Sequence, residues 1–409
     1  MRALVLSGGG AKGAYQVGVW KALRKLNIDI DIITGTSIGA VNGLFIMQNK
    51  YVVLKNLWTK KDISNYFGKE YKDLSAPKEA IKIYGNNIIE RKGINTDEFT
   101  KLIKKSININ KVYSSKIKYG LITMNLDSLK PTIITKDKTS KDELIDYAIA
   151  SASAFPVLNI KKIKDKKYVD GGYYDNLPIN LAIDMGADEV IAVDLEAVGL
   201  KRKTKNEDIP VTMIKPQIDL GDFIVFNKSL NKRNIRLGYN DTMKMYKKLE
   251  GNLYTFKLNE LNKNYEKYYE DFSYIVKREL AVNNTRVINE LNKIPMYKKA
   301  INNQDTKRLM NKSMELLGEI FELPIDQIYT AKLFNYMIKI KFNNYVDDKV
   351  INVNNIKKLK IDKVINKKQL IKNIIKFLEK PVEHYKELSE LSILFPDEFL
   401  ASLYLYTIS

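Results

Sequence analysis

The sequence predicts an α/β fold in which helices cover both faces of a parallel sheet, followed by an all-helical C-terminal domain. Short apolar segments alternate with amphipathic ones from the first residues onward, and short connections join them. From about residue 260 the chain becomes rich in Lys, Asn and Glu and shows helical periodicity instead. We therefore predict two domains, residues 1–258 and 259–409.

The first elements follow one another closely. The strand "ALVLS" leads through the glycine loop "GGGAKG" into the helix "AYQVGVWKALRKL". A second strand, "DIDIITG", runs through a serine turn into the buried helix "IGAVNGLFIMQN". This order of strand, helix, strand and helix is typical of parallel strands.

The later elements are less uniform. Residues 58–115 are irregular and are interpreted either as a mobile cap over a site or as an ordinary surface insertion. Two strands joined at "NLDSL", the helix "SKDELIDYAIASASAF" and the strand "KKYVDGG" come next. "INLAIDMGADEVIAVDL" then predicts a helix that ends near Gly186, followed by another strand.

The last part of the chain is predicted to be helical. "DFIVFNKSLNKRNIRLGYNDTMKMYKKL" indicates a helix that returns onto the first domain. "LPIDQIYTAKLFNYMIKI" is predicted to be one helix, with Pro324 in its first turn and one apolar face from Ile325 to Ile338. We interpret such faces as core and not as membrane-inserting surfaces.

Composition excludes several kinds of site. The chain has no cysteine, which excludes disulfides, thiolate nucleophiles and cysteine-ligated metals. His384 is its one histidine, so a metal site with several histidine ligands is excluded as well. We expect no cofactor and no metal.

Charge and hydropathy bear on location. Lys and Arg number 68 against 48 Asp and Glu, a net charge of +20 that favours an anionic surface, although the codon bias of an A/T-rich genome would also enrich lysine. The N-terminus enters a strand at once, and no apolar run approaches the roughly 20 residues of a membrane span. We expect a cytoplasmic or peripheral membrane protein, unless it is exported without a cleaved signal.

Three glycine-bearing motifs lie at the ends of predicted strands: Gly8–Gly13, Gly35–Gly39 and Asp170–Gly172. The carboxyl ends of parallel strands line one edge of an open sheet, where ligands gather. We therefore expect all three motifs along that edge.

Each motif suggests its own chemistry. Ser37 lies between Gly35 and Gly39, as a nucleophile does on a sharp turn from strand to helix. The N–H groups of Gly8 to Gly10 could stabilise an oxyanion or cradle a phosphate, and Lys12 would add positive charge there, unless it is a solvated lysine. A dinucleotide site using Asp29 or Asp31 is a further alternative, although it has no use for a serine turn.

A nucleophilic serine needs a base, and His384 lies far outside the α/β part. The remaining candidates are the carboxylates at strand ends: Asp170, Asp194 and, less well placed, Asp175. Asp170 is followed by two glycines, which leave space for close approach. We expect a structural role for Asp194.

The motifs together resemble those of bacterial patatin-like phospholipases. The matching segments, over about residues 1–250, are "LVLSGGGAKGAYQVGVWKAL", "ITGTSIGAVNG", "AIASASAFPVL", "YVDGGYYDNLPI" and "RNIRLGYNDTMK". The resemblance implies a three-layer α/β/α patatin-like fold with a mostly parallel central sheet. It also implies a serine–aspartate dyad with Ser37 as nucleophile and Asp170 as base. It further implies an oxyanion hole formed by Gly8, Gly9 and Gly10. Supporting roles are expected for Lys12, Gly13, Gly35, Gly39, Gly171, Gly172 and Asn176.

The function implied is that of a carboxylic ester hydrolase of phospholipase A type that acts at a phospholipid membrane surface, with no nucleic acid as partner. Alternatives are a lipid transacylase, an effector in which the helical domain gates the lipase, and a phosphate- or nucleotide-binding module. Asn176 either fixes the loop behind Asp170 or simply forms a turn. Whether the chain forms a homodimer stays open.

Overall fold

The computed structural model describes residues 1–61, 63–67, 94–281, 305–346 and 366–409. The chain divides into two compact units, Met1–Tyr246 and Lys247–Ser409. This division precedes the predicted boundary at 258/259, because two short strands in between pair within the second unit. The cap or insertion predicted over 58–115 falls partly on residues 62 and 68–93, which lie outside the described residues.

The first unit is built on an eight-stranded sheet in the order β5-β6-β3-β2-β1-β7-β8, with β4 also paired to β3. The strands are Arg2–Leu6 (β1), Ile32–Thr36 (β2), Lys118–Asn125 (β3), Lys130–Thr135 (β4), Lys161–Ile163 (β5), Lys166–Asp170 (β6), Glu189–Val193 (β7) and Val211–Ile214 (β8). Strands β3, β2, β1, β7 and β8 pair in parallel, whereas β4, β5 and β6 join by antiparallel pairing. The sheet is therefore mixed, with a parallel centre.

Helices cover both faces of this sheet. They are Ala14–Lys25 (α1), Ile38–Met47 (α2), Tyr51–Thr59 (α3), Asp97–Ser106 (α4), Ile109–Ser114 (α5), Lys141–Ser151 (α6), Ile179–Asp184 (α7) and Lys228–Met245 (α8). On one face, Ile179 and Ala182 of α7 join a core with Ile32 of β2. On the other face, Gly43 of α2 lies close against Ile33. Since neighbouring strand residues point to opposite faces, the predicted three layers are confirmed.

The edges of β3 explain how distant parts of the chain meet. Strand β4 pairs with residues 120–125 of β3 and so occupies one edge. Strands β2 and β6 must then share the other edge, where β2 ends with Thr36 opposite Ile122 and β6 ends with Asp170 opposite Thr123. The two strands run toward each other and stop at neighbouring positions. Asp170 thus comes from an antiparallel strand, which corrects the expectation that all three motifs follow parallel strands.

The second unit is mainly helical. Its helices are Glu260–Ala281 (α9), Thr306–Ile320 (α10), Ala331–Asn343 (α11), Lys367–Glu379 (α12), Tyr385–Leu394 (α13) and Pro396–Ile408 (α14). It also contains a small sheet of Leu249–Glu250 (β9), Thr255–Lys257 (β10) and Ile328–Tyr329 (β11), which the all-helical prediction lacked. Among the helices of the described ranges, none has the length and hydropathy needed to cross a membrane.

The predicted start of one helix in this unit was wrong. The segment after Pro324 forms β11 first, because Ile328 and Tyr329 pair with β10. Helix α11 begins only at Ala331, where the Thr330 hydroxyl accepts the Leu333 N–H at 3.2 Å. A capping residue inside the apolar pattern thus separates a strand from a helix.

Polar side chains are buried inside the second unit as one network. The amide of Asn264 on α9 donates to Tyr404 Oη on α14 at 2.8 Å, and its carbonyl oxygen accepts from Asn335 Nδ2 on α11 at 2.8 Å. Tyr404 Oη also lies 3.1 Å from Asn335 Oδ1. The three groups therefore satisfy one another among apolar neighbours.

Candidate active site

Ser37 lies on a strained turn between β2 and α2. Its backbone has φ 56° and ψ −129°, a left-handed value that a residue with a side chain rarely adopts. A Cβ on Gly39 would lie 2.3 Å from the Leu6 carbonyl oxygen, and one on Gly35 would lie 2.6 Å from the Ala40 nitrogen. Both glycines are thus required by close backbone packing, as the sequence analysis expects.

A second serine holds this turn in place. The Ser37 N–H donates to Ser151 Oγ at 2.8 Å, and the Ser151 hydroxyl donates to the Ile122 carbonyl at 2.6 Å. Ser151 ends α6 and is fully buried. The sequence analysis missed this residue, and its only signal was a polar side chain within the motif "AIASASAFPVL".

Asp170 lies beside Ser37 in the wall of one cavity. Its Oδ1 accepts the Gly172 N–H at 2.7 Å. Burial raises the pKa of Asp170 from 3.8 to about 6, although the nearby Ser37 side chain and the Gly172 N–H oppose this rise. A Cβ on Gly171 would lie 2.1 Å from the Ile122 carbonyl oxygen, so this glycine is needed where β6 meets β3.

The glycine loop contributes N–H groups of two kinds. The Gly8 N–H donates to the Asn176 carbonyl at 3.1 Å and is therefore already bonded, unlike the oxyanion donor predicted from the sequence. The N–H groups of Gly9 and Gly10 form no hydrogen bond in the described part of the chain. Gly10 has φ +53°, and a Cβ there would lie 2.1 Å from the Phe223 carbonyl oxygen.

Two further predicted residues lie at the end of this loop. Lys12 Nζ lies 3.9 Å from Asp219 Oδ1 and is mostly buried, so it is not the freely solvated lysine of the alternative interpretation. Gly13 packs against the helix after Ser37, where an added Cβ would lie 2.8 Å from Ile38 Cγ1.

Asn176 lies behind the site and touches both halves of it. Its Oδ1 would be 2.2 Å from a Cβ on Gly8 and 3.0 Å from one on Gly172. Its backbone binds Gly8 and Leu200, while its buried Nδ2 has no hydrogen-bond partner among the described residues. These contacts support a role in fixing the loop and not merely in forming a turn.

A cavity of about 530 Å³ opens beside Ser37 and Asp170; we call it the Ser37 cavity. Gly9, Gly10 and Asn176 also line it. Its other walls are mainly apolar and include Phe67, Phe155, Pro156, Val157, Leu158, Val198, Leu200, Phe223, Ile224 and Phe226. A smaller space of about 40 Å³ also touches Ser37 and Gly10. The arrangement suits a long apolar substrate with one reactive polar group.

The other candidate bases do not join Ser37. Asp194 binds Lys201 Nζ at 2.6 Å, consistent with the predicted structural role. Asp175 accepts the Leu177 N–H, and burial raises its pKa to about 6 as well. His384 belongs to the second unit and packs 4.6 Å from the Phe377 ring. Within the residues that the structure describes, no group of three His, Cys, Asp or Glu side chains could hold a metal.

The part of the chain that carries this site is similar to a known protein family. Residues 4–183 match the family described as "Patatin-like phospholipase". The chain is 30% identical over 198 residues to "Lysophospholipase nte1" of Aspergillus terreus, covering 48% of this chain and 12% of that protein. It is 31% identical over 201 residues to "Patatin-like phospholipase domain-containing protein 7" of Rattus norvegicus, covering 47% and 13%.

The chain thus spans only about an eighth of the length of these curated relatives, which are eukaryotic. Among solved structures, that of VipD from Legionella pneumophila aligns over 100% of this chain and 91% of its own, with 15% identity and a TM-score of 0.40. The family match covers the strands and turns that carry Ser37 and Asp170. Residues 4–183, less than half of the chain, are thus similar to patatin-like phospholipases.

Proposed function

We propose that this chain hydrolyses lipid acyl esters as a phospholipase of A type, with Ser37 as nucleophile and Asp170 as base. The observation that carries this proposal is the position of Ser37 and Asp170, both buried, side by side in the wall of one apolar cavity. The cavity suits an acyl chain, and the dyad suits the ester at its end. The family match of residues 4–183 supports the same chemistry. The motifs resemble those of bacterial patatin-like phospholipases in particular, and we propose that the chain belongs with these bacterial enzymes.

The reaction would proceed in two steps. Asp170 accepts the hydroxyl proton while Ser37 Oγ attacks the ester carbonyl, and the carbon–oxygen bond to the leaving alcohol then breaks. That alcohol, a lysophospholipid, takes the proton from Asp170. In the second step Asp170 removes a proton from water, the hydroxide attacks the acyl-enzyme, and the released Ser37 takes the proton back.

The pKa of Asp170 fits this task. An ordinary carboxylate is a weak base at neutral pH, since its pKa lies near 4. Burial raises the pKa of Asp170 to about 6, so the group is a stronger base and is still mostly ionised at pH 7. Direct proton transfer from Ser37 to Asp170 needs no intervening histidine.

Gly9 and Gly10 are the proposed oxyanion donors. Both line the Ser37 cavity, and their N–H groups have no partner in the described ranges. The Gly8 N–H is bound to Asn176 and is left out of the proposal. One donor of this kind contributes roughly 3 kcal/mol to catalysis in other hydrolases.

Lysophospholipids are a second candidate substrate class. The observation that favours them is the similarity of the chain to the Aspergillus lysophospholipase. Transfer of the acyl group to another alcohol is also compatible with the proposed acyl-enzyme. Parallel assays with a phospholipid, a lysophospholipid and an added acceptor alcohol would separate these three reactions.

The dyad can be tested by labelling and substitution together. A fluorophosphonate should label Ser37, and mass spectrometry of the digest would identify the modified peptide. Ser37→Ala should abolish labelling, and Asp170→Asn should slow it strongly. Asp175→Asn is the matched control, because Asp175 is also buried with a pKa near 6 but is not bonded to Ser37.

Two results would overturn the proposal. The first is labelling at a residue other than Ser37, and the second is full ester hydrolysis by Ser37→Ala or Asp170→Asn. Binding of a nucleotide or of inorganic phosphate that persists in Ser37→Ala, with no labelling in the parent protein, would instead support a phosphate-binding module.

A further inference from the structure

Four large apolar side chains project into solvent around the mouth of the Ser37 cavity. Their exposed fractions are 100% for Val198, 62% for Leu200, 50% for Tyr173 and 41% for Phe223. All four also line the cavity. We call them the apolar rim. Single exposed apolar residues are common on proteins, but a cluster at the opening of one cavity marks an interaction surface.

The backbone holds the apolar rim outward. The Leu200 N–H donates to the Gly172 carbonyl at 2.9 Å, and the Leu200 carbonyl accepts from Asn176. The Phe223 carbonyl accepts the Ala11 N–H at 2.6 Å. The Tyr173 hydroxyl donates a hydrogen bond to the Phe155 carbonyl oxygen. Because the rim segments are tied to the same loops that form the site, their side chains are presented in a fixed place.

Charged residues follow one segment of the rim directly in the chain. Lys201, Arg202 and Lys203 follow Leu200, and Arg202 stacks on the Tyr174 ring at 4.4 Å. Lys201 and Lys203 also pair with Asp194 and Glu207. Apolar tips followed by cations match a phospholipid interface, where acyl chains lie beneath phosphates.

Acidic groups near the rim temper this attraction. Asp219 and Asp222 come shortly before Phe223 in the chain, and Asp219 faces Lys12. The local charge is thus mixed. We expect apolar insertion to supply most of the binding, with only a modest gain from anionic lipid.

We propose that the apolar rim inserts into the surface of a phospholipid bilayer and so places the Ser37 cavity against its lipid substrate. This inference rests on the proposed function, because it assumes that the cavity receives an acyl ester. A protein partner seated on the rim would close the mouth of the cavity. A bilayer seated there would deliver the acyl chain from its own apolar layer.

Binding without hydrolysis tests the rim independently of the catalytic proposal. The full chain carrying Ser37→Ala would be sedimented with phosphatidylcholine vesicles, with and without phosphatidylglycerol. Adding Val198→Asp should weaken binding to both kinds of vesicle at least about tenfold, the effect of losing one buried apolar side chain. Leu200→Ser should have a similar effect.

The matched control is Val52→Asp on α3, a residue that is 65% exposed and does not line the cavity. This variant should bind vesicles like its parent. Equal binding by the Val198→Asp and Val52→Asp proteins would overturn the proposal, as would no binding by the parent. A rim variant that changes the oligomeric state without lipid, while vesicle binding is kept, would assign the rim to contacts between copies and overturn it too.

The two proposals can fail separately. If the dyad proposal fails, the fluorophosphonate does not label Ser37, yet rim-dependent sedimentation is still measurable. If the rim proposal fails, labelling of Ser37 is unaffected while the rim and control variants bind vesicles alike.

Discussion

Asp170 and Asp175 are buried carboxyl groups of the first unit, whereas the buried network of the second unit consists of the neutral side chains of Asn264, Asn335 and Tyr404. Burial raises the pKa of both carboxyl groups to about 6, so their charged forms are disfavoured where they lie. The neutral groups of the second unit pair with one another and carry no charge to desolvate.

This difference shows which part of the chain contains features that lower the stability of the fold. The strained turn at Ser37 and the buried charge at Asp170 both oppose folding, yet they lie at the proposed reaction centre. The network in the second unit has the opposite balance, because removing any member leaves the others unpaired. Substitution of Asp170 should therefore lower activity and raise stability, whereas substitution within the network should lower stability alone.

The largest expected effect is that of Asp170→Asn. Ester hydrolysis should fall at least about a thousandfold, because the base is lost. The free energy of unfolding at pH 7 should rise by about 1 to 3 kcal/mol, because a shift in pKa from 3.8 to about 6 corresponds to about 3 kcal/mol. Kinetics and urea unfolding measure both quantities. A variant that is both inactive and less stable would contradict the comparison.

Ser151→Ala should show the cost of losing the support behind Ser37. The change leaves the Ser37 N–H and the Ile122 carbonyl without their partner, so we expect a loss of about 2 to 4 kcal/mol in stability. Hydrolysis should fall about 10- to 100-fold, mainly in kcat, because the nucleophile is misplaced.

Ser153→Ala is the control for this variant, since the buried Ser153 hydroxyl binds only the Ile149 carbonyl, at 3.0 Å. Its effect on kcat should be clearly smaller. If both serine variants slow the reaction equally, general loosening of the end of α6 and not the bond to Ser37 would explain the loss.

The pH dependence sharpens the comparison further. Asp170 acts as a base only when ionised, so kcat/KM should fall about tenfold for each pH unit below about 6. Its raised pKa means that the folded state binds the proton more tightly than the unfolded state does. The destabilisation it causes is therefore full above pH 6 and is relieved between pH 6 and 4. The stability difference between the parent and Asp170→Asn, measured across this range, should shrink as the pH falls.

Tyr404→Phe should have the smallest effect on hydrolysis. It removes one hydroxyl from the network with Asn264 and Asn335, which should lower the stability of the second unit by about 1 to 3 kcal/mol. Activity per folded molecule should not change. The exposed Tyr274→Phe is the control and should leave stability unaltered. Loss of activity at full folding would mean that the two regions are not independent in function.

Local sequence predicted much of the site. Gly35, Ser37 and Gly39 are close in the chain, and their spacing follows from the contacts that a turn between strand and helix must make. The same holds for Asp170 and its glycines. Spacing also suggested the three layers, since strands and helices alternate through the first part of the chain.

Contacts between distant segments could not be predicted in this way. The Gly8 N–H donates to the Asn176 carbonyl, and the Ser37 N–H donates to Ser151. The sequence around these residues does not predict either hydrogen bond. The direction of β6 was also missed, because an apolar run ending in Asp-Gly-Gly reads the same in either direction of pairing. The start of α11 was missed because Thr330 lies within a continuous apolar pattern.

Because β2 and β6 meet on one edge of β3, the proposed hydrolysis depends on the register in which these strands pair. A slip of β6 by one residue would displace the Asp170 carboxyl by about 3.3 Å and turn it to the opposite face. Thr36 and Asp170 reach their places by pairing with β3, at Ile122 and Thr123. On the proposed mechanism, we therefore expect no ester hydrolysis from a chain in which these three strands have not yet paired.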